Sequence, residues 1–158
     1  MRTVWSRRFR YGLLLIALCA IATCPSAKRA CTARTRAKEA DQLLDYLADR
    51  VVAAIVATGR VPPQPAGPTP VPACCEQGGT CAADPTLWAT PGWQALGFSV
   101  DGEYRYTYSY IPDPGGRSAV VRAVGDVDCN GITSSYEITI RIDGSGVRRL
   151  PTSKNPYE

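Results

Sequence analysis

Six prolines between Val61 and Pro72 divide this 158-residue chain into two halves that cannot share one kind of secondary structure. Proline lacks the backbone donor that a helix interior or a central strand needs, so the stretch reads as an extended spacer laid over the surface. On its N-terminal side, Ala27 to Thr58 contains neither Pro nor Gly, and Leu43, Leu47, Val51 and Ile55 recur every four residues. Leu44, Val52 and Val56 widen that stripe, while Asp41, Asp45 and Asp49 form an acidic line on another face. The pattern predicts an amphipathic helix ended by Gly59. From Lys28 to Lys38 the segment is basic and alanine-rich without a comparable stripe. That part is expected either to extend toward the anionic head groups of a membrane or to be a solvated helix start.

On the C-terminal side the period changes to two. Glu103 to Tyr110 alternates, with Tyr104, Tyr106, Tyr108 and Tyr110 on one face and Arg105, Thr107 and Ser109 on the other. Tyrosines in line suit either a stacking platform or, as preferred here, the buried face of a strand packed on a helix. Pro112 to Gly116 makes a turn and Ala119 to Val124 returns as a partner strand. Glu137 to Ile142 alternates again, and Asp143-Gly144-Ser145-Gly146 turns it into a short last strand near Val147 to Leu150. The expected class is α+β: a long N-terminal helix on a small antiparallel sheet of about four strands. The expected organisation is a targeting segment over 1–23, the helix over 24–59, the proline linker over 60–73 and a globular domain over 74–158.

The N-terminus carries Arg7, Arg8 and Arg10 ahead of thirteen uncharged residues, Gly12 to Cys24, after which Lys28 and Arg29 restore charge. A bilayer span needs roughly 20 apolar residues, so this run reads as the core of a secretion signal. Ala20-Ile21-Ala22 suits signal peptidase, while Ile21-Ala22-Thr23-Cys24 resembles a bacterial lipobox that would place a lipid on Cys24. The lipoprotein is the preferred reading, with the protein tethered to a membrane facing periplasm or cell surface. Four arginines and no acids lie in residues 1–23, so removing them leaves fourteen basic against fourteen acidic residues. The positive charge therefore belongs to targeting, and no nucleic-acid partner is expected. No histidine occurs in the chain, which excludes Ser-His-Asp and Cys-His catalysis; the protein reads as non-enzymatic.

Export makes disulfides the natural use of Cys74, Cys75, Cys81 and Cys129, a set with three connectivities. Adjacent cysteines seldom bond each other, so Cys74 and Cys75 are each expected to take one of Cys81 and Cys129. Cys31 is then left over. The run Asp126-Val127-Asp128-Cys129-Asn130-Gly131 with Glu137 fits the spacing of a twelve-residue calcium loop. In that pattern Asp126, Asp128, Asn130 and Glu137 supply side-chain oxygens, Ile132 supplies its carbonyl and Gly131 makes the sharp turn. The loop lies between strands, so the pattern implies a structural calcium ion and not an EF-hand. An ordinary Asp/Asn/Gly turn is the competing reading.

Several stretches occur in a telling order: C-C-E-Q-G-G-T-C from Cys74, W-A-T-P-G-W-Q-A-L-G-F from Trp88, the tyrosine strand, then G-D-V-D-C-N-G and S-S-Y-E. Over residues 74–158 this order resembles the C-terminal half of type IV pilin-like proteins of Gram-negative bacteria. The resemblance implies a helix laid across a four-stranded antiparallel sheet and a role in an extracellular filament or its assembly machinery. It also implies calcium at Asp126 and Asp128, as in the corresponding loop of secretion pseudopilins. At the N-terminus the chain departs from the family, because Gly12 is followed by Leu13 and the fifth residue after it is Ala17 where a pilin has Glu. The expectation is thus a pilin-like domain on a lipid or secretory anchor, with pilin-like or envelope proteins as partners. The alternative is a minor pilin or pseudopilin built into a filament.

Overall fold

A computed structural model describes residues 34–156. The targeting segment, Cys24, Cys31 and the helix start before residue 34 lie outside the described residues. Helix α1 runs over 34–58, and five strands follow: β1 Ala66–Thr69, β2 Thr107–Pro112, β3 Ser118–Gly125, β4 Ser134–Asp143 and β5 Gly146–Lys154. Between β1 and β2 lie two single 3-10 turns, Cys74–Gln77 and Pro85–Trp88, and a short helix α2, Pro91–Leu96. Every neighbouring pair of strands is antiparallel, in the spatial order β1-β2-β3-β4-β5. The class is α+β, as expected. Among the described residues no helix is long and apolar enough to cross a membrane.

Five strands replace the expected four because the proline stretch contributes one. Ala66 and Thr69 pair with Tyr110 and Tyr108 at the sheet edge, where missing backbone donors are tolerated. Instead of lying loosely on the surface, this segment buries Ala66, Thr69 and Pro70. Trp93 Nε1 donates to Thr69 Oγ1 at 2.8 Å, which satisfies a buried indole. Gly92 makes the approach of α2 to this strand possible, since a Cβ there would stand 2.1 Å from the Pro65 carbonyl oxygen. At the other edge, β5 carries Pro151, Arg148, Arg149 and Lys154, which discourage edge-to-edge pairing.

The helix buries a face rotated slightly from the expected stripe. Ala37, Ala40, Leu44, Leu47, Ala48, Val51 and Ile55 face the sheet, while Leu43 is half-buried and Val56 is 76% exposed. Three alanines on the contact line let the backbone come close to the strands, which the larger leucines at every fourth position did not reveal. The same line carries the packing back to Ala37, so the last turn of the basic segment Lys28 to Lys38 belongs to the packed helix. Glu39 fixes this end: its Oε1 accepts from the Arg105 backbone N–H at 2.6 Å, and its Oε2 lies 3.0 Å from the Arg105 guanidinium. On the acidic line, Asp49 pairs with Arg149. Burial, aided by Asp45 one turn along, raises the Asp41 carboxyl above its ordinary pKa.

All four tyrosines of the alternating strand are buried against the helix layer. Ladder pairing begins only at Thr107, and Tyr104 joins through an isolated bridge to Cys81. Around them Trp88 stacks edge-on with Trp93, Phe98 and Tyr104 at centroid distances of 5.3, 5.4 and 5.8 Å. Such edge-to-face pairs add to the area term, which alone is worth ~1.5–3 kcal/mol for a fully buried large side chain. Tyr110 Oη donates to the Pro62 carbonyl at 2.6 Å, tying the proline segment to the core. Burial, the leading cause at each position, raises the pKa of all four phenols, so they stay neutral; the Tyr104 and Tyr108 hydroxyls are buried without a hydrogen-bond partner among the described residues.

Candidate functional site

The connection from β3 to β4, residues 126–133, is the acidic loop. Its backbone is bent where the spacing requires: Gly131 has φ 90 and Cys129 has φ 60, both left-handed. Glycine occupies that region freely, whereas a cysteine there is held by its surroundings. Here the restraint is covalent, because Cys129 is bonded to Cys75 across 54 residues of sequence, and Cys74 is bonded to Cys81. Each adjacent cysteine thus takes one distant partner. From the helix side, an Arg36 Nη1 donates to the Val127 carbonyl, and the Val127 side chain is buried beneath the loop. The loop is therefore fixed to both the cysteine-rich turn and α1.

Within the loop, Asp126 organises the turn. Its Oδ1 accepts from the Asn130 backbone N–H at 3.0 Å and its Oδ2 from that of Gly131 at 2.8 Å. Asn130 donates from Nδ2 to Asp128 Oδ2 at 3.1 Å and accepts at Oδ1 from the Ile132 backbone N–H at 2.7 Å. Asp126, Asp128 and Asn130 are thus brought together in one turn. An ionised carboxylate offers about four acceptor sites, so these bonds leave oxygen lone pairs on both aspartates. Carboxylate and amide oxygens are the donor types a hard cation such as calcium takes, although the Asn130 Oδ1 here accepts the Ile132 N–H.

Glu137 is placed elsewhere. It stands on β4 directly opposite Arg122 of β3, and Arg122 Nε lies 2.6 Å from its Oε1. The twelfth position of the spacing therefore meets a guanidinium and not the loop carboxylates. Among the described residues, no three His, Cys, Asp or Glu side chains are gathered as a metal cluster. The Asp126, Asp128 and Asn130 side chains are hydrogen-bonded within the turn itself, and Glu137 could join them only by leaving Arg122. Arg122 was legible as the cross-strand neighbour of Glu137 once the hairpin register is drawn, whereas nothing in the sequence singles out Arg36.

No family model, curated protein or solved structure matches this chain.

Proposed function

We propose that this chain is a non-enzymatic, exported, membrane-anchored pilin-like protein of the cell envelope or surface, whose C-terminal loop is set by a structural calcium ion. It binds a filament, an envelope complex or an external ligand. The observation that carries the reading is the joint at one corner of the domain. There the acidic loop, the cysteine-rich turn and the start of α1 are held together by Cys75–Cys129 and Arg36. A long helix on an antiparallel sheet, with a disulfide-closed C-terminal loop, is also what the resemblance to pilin-like proteins leads one to expect.

The helix start faces the anchor in this reading. The lipid sits on Cys24, and the basic residues between it and α1 meet the membrane surface. Mass spectrometry of the mature N-terminus tests the reading. A diacylglyceryl group on Cys24 is the expected result, whereas an N-methylated residue directly after Gly12 would contradict it and make the chain a minor pilin or pseudopilin.

A further inference from the structure

The sheet face turned away from α1 is not evenly open. Beside β1 and under the cysteine-rich turn lies a cleft of about 530 Å³. Pro65 and Pro68 wall it, and Ser109, Ile111, Arg122 and Val124 lie on its floor. Ser109 of β2 and Arg122 of β3 are directly opposite residues, so their side chains rise from the same face as neighbours. A guanidinium has five N–H donors in a planar fork, and Glu137 occupies the Nε side of this one. No hydrogen bond of the Ser109 hydroxyl is seen among the described residues. Ile111 is 45% exposed, a large apolar side chain beside these donors.

We infer that this cleft binds a ligand carrying a carboxylate on an apolar body. Arg122 and Ser109 supply donors for the carboxylate, and Ile111, Val124 and the two prolines receive the apolar part. Two other charged groups reach the cleft. Arg105 is already paired with Glu39, and the Asp126 carboxylate at the rim accepts the Asn130 and Gly131 N–H groups. Arg122 is itself paired with Glu137 through Nε, and its Nη donors, beside Ser109, are the ones that would distinguish an acid from its neutral analogue. A planar guanidinium favours a carboxylate over other acceptors because it can engage both oxygens. The inference goes beyond the calcium and anchor reading and concerns the state in which Glu137 is paired with Arg122.

Titration of the isotope-labelled mature protein with N-acetylleucine, followed by amide chemical shifts, tests it. The acid should give saturable shifts at Ser109, Ile111 and Val124, and N-acetylleucinamide should bind about tenfold more weakly, the loss expected for one charge-assisted bond. Arg122→Gln should erase the difference between the two ligands. Ser109→Ala, which leaves the Arg122–Glu137 pair in place, should weaken the acid about threefold. Equal binding of acid and amide, shifts confined to other regions, or no shifts at all would overturn the inference.

Discussion

Replacing Cys75 and Cys129 together by serine lowers the stability of the oxidised protein by about 4 kcal/mol, from the chain entropy released when a bridge of this length is opened. The bond closes 54 residues, against 7 for Cys74–Cys81, whose removal should cost about 2 to 2.5 kcal/mol by the same reasoning. Relaxation of the left-handed backbone at residue 129 would offset a small part of the larger loss. Urea denaturation of the two double variants checks the ranking through their midpoints. If opening Cys74–Cys81 proved the more damaging, the long bridge would not be the main covalent restraint on the loop.

Trp93→Ala should destabilise by about 3–5 kcal/mol, the range for removing a fully buried large aromatic. Trp93 is 0% exposed and contacts Trp88 and Phe98 at centroid distances of 5.3 Å each. Its loss would leave a cavity beneath α2 and free the Thr69 hydroxyl, loosening β1 as well as the aromatic cluster. Trp93→Phe keeps much of the volume but not the bond to Thr69, and should cost less than the alanine variant. Thermal unfolding of both separates packing from the hydrogen bond. A near-neutral Trp93→Ala would contradict the placement of α2 as the plug between β1 and the core.

The alternating tyrosines and isoleucines made β2 and β4 legible, because period two leaves one interpretation when one face is buried. Helix α1 was equally plain, although small residues on its contact line hid which turn faced the sheet. Strand β1 was not legible. A proline-rich segment carries no alternation, and its place at the edge depends on Trp93 and Tyr110 reaching it from elsewhere in the chain. In the loop, the Asp, Asn and Gly composition from Asp126 to Gly131 made a tight turn legible, which was the competing reading of that stretch. Glu137 illustrates the limit of spacing: its neighbour was decided by sheet register, which set Arg122 opposite it.

A pair of melts shows whether the Asp126 loop holds calcium. The mature protein, with disulfides intact, is unfolded by heat in excess calcium and again in excess chelator. Binding to the folded state alone must raise the melting temperature. A higher midpoint with calcium is the expected result, and Asp126→Ala should remove the difference. Identical midpoints for the parent protein with calcium and with chelator would contradict it.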